Sequence, residues 1–326
     1  MSYRTGWCSL VAAGLLLSCG REPARTKVIV NQAFEHLLYI GLYVAKDAGF
    51  FDEEGLEVTI NTGGGDAQAF AALSSGAADF AQGDPAFVAI AQERGWDGRV
   101  VAMAVNRVAI WGVSRDSLIA PFTDPGGFRG RHVSTYPRPN TSYVVQEELV
   151  QRAGLTLGKN TWIKEVAFGT ELAALERGDV DIAQTIEPNV TQFEQKGGRV
   201  VFSYPEAWGP LAFTGVMVAL KTIKENPDKV EKFVRAYARA YRFLRSNTDS
   251  TISIAARRLP SLDRETIKRA LQRLLESQSL PVTVAVDSAS WRKLLDVRVK
   301  VGDLKAFPAN VLYDNTFAQH ADSVVR

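Results

Sequence analysis

Short apolar runs alternate with helical segments along most of this chain, and that alternation restricts its fold more than any other feature. Runs with the length and β-branched content of strands lie at residues 27–30, 56–60 and 99–105. The helical segments between them end at glycines such as Gly49 and Gly76, where helices commonly stop. Strands that alternate with helices predict an α/β protein with mostly parallel strands in its sheets.

The same order begins again further along the chain and predicts a second, similar half. More strands are expected at residues 131–134, 180–183 and 199–202. Related helix-to-strand steps, S-G-A-A-D-F at 75–80 and R-G-D-V-D-I at 177–182, mark corresponding points in the two halves. We therefore predict two α/β lobes with mixed, mostly parallel sheets flanked by helices. Loops at the carboxyl ends of the strands would face a shared cleft, where open α/β sheets bind ligands.

A long amphipathic helix is predicted from residue 226 to about residue 245. Phe233, Tyr237 and Tyr241 recur along it at helical spacing. Because residues at this spacing share one face of a helix, we expect the three rings to pack in the core rather than to contact a ligand.

The first 25 residues have the pattern of an export signal. An apolar run at residues 7–17 is too short to span a bilayer, which needs roughly 20 residues. It ends in L-L-S-C, residues 16–19, which looks like the lipobox of bacterial lipoproteins, whose cysteine sulfur is acylated. We predict a lipoprotein signal peptide at residues 1–18, lipidation of Cys19 and a tether at residues 19–25. An ordinary cleaved signal peptide is the alternative.

Composition excludes several classes of function. Cys8 and Cys19 are the two cysteines of the chain, so the part beyond the signal has no disulfide and no cysteine-ligated metal. The three histidines lack the spacing of metal ligands and no catalytic triad can be assembled, so we predict neither a metal site nor a cofactor. The 38 basic and 36 acidic residues nearly cancel, which argues against nucleic acid as a partner.

Several motifs resemble one family of bacterial binding proteins. The run G-L-Y-V-A-K-D-A-G-F-F-D-E-E-G-L-E-V-T-I at residues 41–60 is very similar to the first helix and second strand of periplasmic binding proteins for sulfonates, taurine, nitrate and the pyrimidine precursor of thiamine. Further similar stretches follow in the same order at residues 72–81, 128–133, 171–183 and 226–237. Together they extend the resemblance over most of the chain.

The resemblance implies a periplasmic binding protein type II fold, in which two lobes close over a ligand. Lobe 1 would comprise residues 26–112 and 211–326, and lobe 2 would comprise residues 113–210. Crossings near Trp111 and at residues 212–218 would act as the hinge. The closed form would dock on a membrane permease that works with an ATPase. The resemblance thus implies a monomeric, extracytoplasmic solute-binding lipoprotein of an ABC importer, held on the membrane surface by its lipid.

Two departures from the family pattern narrow the function. Related eukaryotic enzymes that synthesise pyrimidines carry a cysteine-rich motif, and this chain has no cysteine after residue 19, which argues against an enzyme. Sulfonate and nitrate binders need strong anion donors, and no arginine pair is evident at loop tips. Aromatic residues in loops favour a small planar heterocycle, such as a thiamine-type pyrimidine; a sulfonate or other oxyanion is the alternative. A third hypothesis is a sensory ectodomain that presents its ligand to a separate receptor.

The candidate ligand-binding residues lie at predicted strand ends, helix starts and lobe crossings. They are Gln32, Phe34, Tyr39, Gly64, Asp84, Trp111, Tyr136, Asn140, Thr141, Ser142, Glu187, Trp208 and Thr214. The aromatic side chains could stack on a planar ligand. The resemblance places Glu187 near the cleft, where it could accept a hydrogen bond from an amino group. The stretch from Tyr136 to Ser142 begins a helix, and its free N–H groups would suit a carboxylate, phosphate or ring carbonyl, unless Asn140 or Thr141 merely caps that helix.

Structural roles compete with ligand contact at other positions too. Phe34 and Tyr39 could simply pack a helix, and Trp111 could be buried in a crossover strand. Asp84 precedes a proline and could cap a helix. Asp66, which follows the glycine turn at residues 63–65, is predicted to be the N-cap of the helix that it begins and that stops at Gly76.

Overall fold

The computed structural model describes residues 24–324, whose strands form two five-stranded sheets. The strands are β1 (Thr26–Gln32), β2 (Leu56–Thr62), β3 (Phe80–Gly83), β4 (Gly98–Arg107), β5 (Trp111–Ser114), β6 (His132–Thr135), β7 (Trp162–Glu165), β8 (Ile182–Thr185), β9 (Arg199–Ser203) and β10 (Pro210–Ala219). The helices are α1 (Ile40–Asp47), α2 (Phe50–Glu53), α3 (Asp66–Ser74), α4 (Ala86–Gln92), α5 (Thr141–Arg152), α6 (Glu171–Glu176), α7 (Asn189–Gln195), α8 (Tyr204–Trp208), α9 (Leu220–Glu225), α10 (Pro227–Ser246), α11 (Thr248–Arg258), α12 (Arg264–Glu276), α13 (Ser288–Lys300) and α14 (Thr316–Val324). None of the helices in this part of the chain combines the length and the apolar character needed to cross a membrane. The predicted signal peptide and Cys19 lie outside the described residues.

Both sheets have the same arrangement of strands. The order is β2-β1-β3-β10-β4 in the first sheet and β7-β6-β8-β5-β9 in the second. β1 runs parallel to β2 and β3, and β6 runs parallel to β7 and β8. β10 and β5 each lie antiparallel to both of their neighbours. The prediction of an α/β fold with two mixed, mostly parallel sheets is therefore confirmed.

Helix α10 packs against α1, α2 and α14 and places its aromatic side chains over the first sheet, where Phe233 stacks on Phe80 of β3. We call this sheet with its helices lobe 1, and the second sheet with α5, α6 and α7 lobe 2. Phe233, Tyr237 and Tyr241 on α10 are fully buried, which confirms that the aromatic stripe belongs to the core. Gly41 on α1 allows α10 to approach closely, because a Cβ atom there would lie 2.2 Å from Cε2 of Tyr241.

The parallel strands of lobe 1 end together and so place their following loops side by side. Gln32 at the end of β1 pairs with Thr62 of β2 and with Gln82 of β3. Phe34 therefore lies next to Asp84, the residue that follows β3. Sheet register alone thus brings two predicted site residues from distant parts of the sequence to one edge.

The chain crosses between the sheets at residues 108–110 and at residues 204–209, slightly earlier than the sequence predicted in each case. Trp111 already belongs to β5 of the second sheet, and residues 212–218 lie inside β10 of the first. Each crossing is followed directly by an apolar strand, β5 or β10, and the sequence has no clear mark for where the crossing ends and the strand begins. The predicted crossings were therefore placed a few residues too late.

The C-terminal helices contact both lobes. Thr266 at the start of α12 hydrogen-bonds the side chain of Gln195 on α7, with Gln195 Nε2 at 3.0 Å from the threonine hydroxyl. Helix α13 packs on β10 and α4 of lobe 1 and on α5 of lobe 2. As a result Arg298, near the end of α13, lies between the lobes at the edge where their strands end.

Candidate ligand-binding site

A space of about 410 Å³, which is partly open to solvent, lies between the two lobes at the carboxyl ends of their strands. It is lined by Phe34, Leu38, Tyr39, Asp66, Asp84, Ile110, Tyr136, Asn140, Thr141, Phe168, Ile186, Phe213 and Thr214. We call it the inner cavity. Five of these side chains are aromatic, and both lobes and the first crossing contribute to the walls.

A second space of about 720 Å³ adjoins the inner cavity and shares several of its walls. This outer cavity is lined by Phe34, Asp66, Tyr136, Asn140 and Phe168, together with Gly64, Gly65, Ala67, Gln68, Phe87, Pro137, Arg138, Pro139 and Ala167. The rings of Phe34 from lobe 1 and Phe168 from lobe 2 stack on each other, with centroids 3.7 Å apart and planes 17° apart. Since both rings line both cavities, this pair separates the inner from the outer space.

Asp84 connects the two lobes. Its Oδ1 accepts a hydrogen bond from the backbone N–H of Ala86 at 3.0 Å, so it does cap α4. Its Oδ2 accepts hydrogen bonds from the backbone N–H and the hydroxyl of Thr141 on lobe 2, at 3.0 and 2.5 Å, and from Arg298 at 2.5 Å. The carboxylate thus occupies the helix N-terminus that the sequence had offered to a ligand anion.

Asp66 faces the same place from α3. The sequence predicted a helix cap, but its side chain accepts hydrogen bonds from the backbone N–H of Asp84 at 2.8 Å and from the side-chain amide of Asn140 at 2.7 Å. Gly83 makes room for this carboxylate, because a Cβ atom there would lie 2.5 Å from Asp66 Oδ1. Burial, and next the neighbouring carboxylate of Asp84, raise the pKa of Asp66 from 3.8 to about 7.

Arg298 balances part of the negative charge between the lobes. Its side chain is fully buried and lies 2.5 Å from Asp84 and 2.8 Å from Asp303. It also donates to the Thr141 hydroxyl at 2.6 Å and to the backbone carbonyl of Pro139. Sequence reasoning missed this residue, although its place on the apolar face of α13 was a usable signal, because a charge there must be paired.

Eight of the thirteen candidate residues line one or both cavities. They are Phe34, Tyr39, Gly64, Asp84, Tyr136, Asn140, Thr141 and Thr214. Their contact with a ligand stays a prediction. The sequence did not point to Phe168, which lies in the loop between β7 and α6, or to Asp66 as a wall of the site, since both depend on how the lobes meet.

Gln32 and Ser142 are absent from the walls of both cavities, and each forms hydrogen bonds within the protein. The side chain of Gln32 accepts a hydrogen bond from the Tyr43 hydroxyl at 3.0 Å and donates one to Thr62 at 3.0 Å. The hydroxyl of Ser142 accepts from the backbone N–H of Tyr136 at 2.9 Å. Both positions were predicted from chain order, which does not determine the direction of a buried side chain.

Trp111, Glu187 and Trp208 are also outside the walls, because each is engaged with an arginine. Glu187 is fully buried, with its Oε1 2.6 Å from Nε of Arg273, and burial raises its pKa. The same guanidinium lies 5.9 Å from the ring centre of Trp111. The ring of Trp208 contacts Arg152 at 4.3 Å from guanidinium to centroid. In the structure these three residues contact arginines and do not line either cavity, and their contact with a ligand stays a prediction.

The charges at the site disfavour an anion. No Lys, Arg or His side chain among the described residues lines the inner cavity. The backbone N–H groups of Thr141 and Ser142 already donate to Asp84 and Asn140. Arg138 lines the outer cavity, but it donates to Asp303 at 2.9 Å and to the carbonyl of Val301 at 2.8 Å.

Comparison with known proteins agrees with this architecture. A family model described as NMT1/THI5 like matches residues 37–250. This chain belongs to the NMT1/THI5-like family. It is 25% identical over 314 residues to YtlA of Bacillus subtilis, covering 94% of this chain and 93% of that protein. It is also 25% identical over 264 residues to the riboflavin-binding protein RibY of Chloroflexus aurantiacus, covering 80% of this chain and 74% of RibY.

Solved structures of members of this fold superpose over almost the whole chain. The ligand-binding component of an ABC-type import system from Staphylococcus aureus has a TM-score of 0.75 at 12% identity, covering 91% of this chain and 99% of that one. The aliphatic sulphonate binding protein SsuA from Escherichia coli has a TM-score of 0.73 at 16% identity, with 90% and 94% covered. The desulfurization enzyme DSZB has a TM-score of 0.67 at 13% identity, with 93% and 100% covered. These likenesses confirm the periplasmic binding protein type II fold that the motifs implied.

Proposed function

We propose that this protein is the extracytoplasmic solute-binding lipoprotein of an ABC importer and that it captures a small planar heteroaromatic molecule between its lobes. The observation that carries the proposal is the inner cavity, in which aromatic side chains from two lobes face each other and no basic side chain of the described chain takes part. Binding proteins of the same fold supply the transport role by similarity.

The stacked rings of Phe34 and Phe168 favour a planar guest. A ring inserted between them would make two van der Waals contacts of about 3.5 Å and would hold the phenyl rings about 7 Å apart. The separation now is 3.7 Å, so the lobes would have to part by a few ångströms at this point. Tyr39, Tyr136 and Phe213 would supply the remaining apolar walls.

The heteroaromatic class also fits the relatives. The name of RibY states that it binds riboflavin, whose ring system is planar and nitrogen-rich. A thiamine-type pyrimidine has the same chemistry in a smaller ring. A sulfonate, the class that the name of SsuA states, is the second candidate. It is disfavoured because Asp66 and Asp84 would face it and the helix N-terminus at Thr141 is occupied.

Transport would follow from lobe movement. The crossings at residues 108–110 and 204–209 connect the sheets and would act as the hinge. A ligand that contacts both lobes shifts the population toward the closed form, which the permease would recognise. Lipid on Cys19 would hold the protein, as a monomer, at the membrane surface. An enzyme of the same fold is less well supported, because the chain has no cysteine beyond residue 19.

Ligand class can be tested by thermal unfolding of the purified protein with an aminopyrimidine, thiamine, riboflavin, taurine and nitrate. A ligand at 100 times its dissociation constant stabilises by about 2.7 kcal/mol. For a protein of this size that shifts the unfolding midpoint by roughly 5–10 °C. We expect this shift with a planar heterocycle. Stabilisation by taurine or nitrate alone would show an oxyanion binder instead.

The aromatic pair can be tested by substitution. Replacing Phe168 with leucine removes the ring that would stack on the ligand and should weaken binding of the best heterocycle by about tenfold, the factor equivalent to a stacking contact of about 1.4 kcal/mol. Phe307→Leu is the matched control, since Phe307 is exposed and lies outside both cavities. If the two variants bind the heterocycle with equal affinity, Phe168 does not contact the ligand.

Lipid attachment is tested separately at the N-terminus. We expect radiolabelled palmitate to enter the wild-type protein in cells and not the Cys19→Ala variant, which should also leave the membrane fraction. A membrane-bound, unlabelled wild-type protein would show another mode of attachment.

A further inference from the structure

Asp66 contributes a carboxylate to the walls of both cavities without a cationic partner. Its oxygens accept from the backbone N–H of Asp84 at 2.8 Å and from the amide of Asn140 at 2.7 Å, and both donors are neutral. No Lys, Arg or His side chain within residues 24–324 forms an ion pair with it. Asp84, in contrast, has Arg298 at 2.5 Å.

Two charged groups, one of each sign, face Asp66. Asp84 faces it from the start of α4, and Arg298 faces it from α13. Asp303 shares Arg298 at 2.8 Å and takes Arg138 at 2.9 Å. The two guanidinium groups are thus shared among Asp84, Asp303 and Glu147, which lies 3.6 Å from Arg138, and neither forms an ion pair with Asp66. Burial and Asp84 together raise the pKa of Asp66, which is the expected effect of a missing counter-charge.

A second polar group in the cavity wall, the hydroxyl of Tyr136, has a different environment. The hydroxyl of Tyr136 is buried, and it has no hydrogen-bond partner in the described part of the chain. Tyr136 lines both cavities together with Asp66. Burial and next the neighbouring carboxylate of Glu171 raise the pKa of this hydroxyl, so it lies beside Glu171, and the unpaired group in this part of the chain that faces the cavity is Asp66.

We propose that Asp66 determines specificity by selecting planar heteroaromatic ligands that carry a positive charge over neutral and anionic analogues of the same size. This inference rests on the proposed function, because it takes the inner cavity to be the ligand site. A protonated amino-heterocycle would supply the missing ion-pair partner, and the faces of Phe34 and Phe168 would add cation–π attraction.

The test uses three pyridines of similar size and different charge: 4-aminopyridine, which is protonated at neutral pH, isonicotinamide and isonicotinate. Binding to the full mature protein is measured by isothermal titration calorimetry at pH 7.5. We expect the cation to bind at least tenfold more tightly than the neutral amide, and isonicotinate to bind most weakly. In Asp66→Asn the ratio of cation to neutral affinity should fall to about one, with affinity for the amide retained within about threefold.

Two variants serve as controls. Asp66→Glu keeps the charge and should keep a preference for the cation. Asp52→Asn removes a carboxylate of lobe 1 that is exposed and pairs with Arg25 at 2.5 Å, far from the cavity walls, and should bind all three probes as wild type does. A cation preference that survives in Asp66→Asn would overturn the inference.

Wild-type protein alone gives an independent readout. Near pH 7 a cation should displace the proton that Asp66 holds, so the apparent binding enthalpy should depend on the ionisation enthalpy of the buffer. Binding of isonicotinate to the wild-type protein as tightly as 4-aminopyridine would refute the inference even if Asp66→Asn did not fold. Equal binding of cation and neutral amide would refute it while leaving the proposed function intact. If no heterocycle binds and taurine stabilises the protein, both this inference and the proposed function are wrong.

Discussion

Replacing Arg298 with methionine should destabilise the protein strongly. The guanidinium is fully buried, and it contacts Asp84 at 2.5 Å and Asp303 at 2.8 Å, of which Asp84 is itself nearly fully buried. Methionine preserves most of the volume and removes the charge. Breaking a buried ion pair on one side typically costs about 3–5 kcal/mol, because the other charge stays in the protein without a partner.

The expected loss is large for two reasons specific to this site. Asp84 would face Asp66 without the buried cation that now contacts it, so the two carboxylates would repel each other at short range. The Thr141 hydroxyl and the Pro139 carbonyl would also lose a charged donor. We therefore expect Arg298→Met to lower the free energy of unfolding by about 3–5 kcal/mol, which for a protein of this size is a midpoint shift on the order of 10 °C.

Urea denaturation followed by circular dichroism measures this loss, and a double-mutant cycle assigns it. Adding Asp84→Asn to Arg298→Met removes the stranded charge, so the combined loss should be smaller than the sum by about 1–3 kcal/mol. Arg257→Met is the matched control, since Arg257 is exposed on α11, and it should change stability by less than about 0.5 kcal/mol. A loss below about 1 kcal/mol for Arg298→Met, or strict additivity in the cycle, would refute the reasoning.

Three other substitutions or conditions give sharp outcomes. Gly41→Ala places a methyl group 2.2 Å from Tyr241, and urea denaturation should show a loss of roughly 1–3 kcal/mol. The pKa of Asp66 is raised to about 7 in the folded protein, so its protonation stabilises the fold fully at a pH below its pKa in the unfolded chain, and this stabilisation is lost as the pH rises through 7. The free energy of unfolding without ligand should therefore fall from pH 5 to pH 8. It should fall less steeply in Asp66→Asn. Gly83→Ala would press on the Asp66 carboxylate from 2.5 Å, so calorimetry should show a weakened cation preference and a nearly unchanged affinity for neutral heterocycles.

Much of the fold was predictable because local sequence and tertiary structure agree. β1 and β2 lie where the apolar runs predicted them, and α5 begins at Thr141 as expected. The missed strand β7 is short, lies at the edge of the second sheet, and has no fully buried side chain, so no apolar pattern marks it. Part of β10 was predicted to be a crossing between the lobes, because a long apolar run does not show whether it forms a strand of one sheet or connects two sheets.

The candidate site was predictable only where it depends on strand ends. Phe34, Tyr136 and Thr141 follow or precede regular elements, and the rule that ligands bind at the carboxyl ends of strands was enough to select them. Phe168 and Arg298 become part of the site through contact between lobes. That contact depends on how two sheets and the C-terminal helices pack, which one sequence does not encode in any local pattern.

The start of α5 shows why the charge preference of the site could not be predicted. A helix N-terminus after a strand is a ready anion site, and the sequence offered it to a carboxylate or phosphate of the ligand. In the structure Asp84, which lies far earlier in the chain, fills that position from the other lobe and accepts from both the N–H and the hydroxyl of Thr141. The anion that this helix binds is therefore part of the protein. With that position filled and Asp66 beside it, the electrostatic preference of the cavity changes from anions to cations.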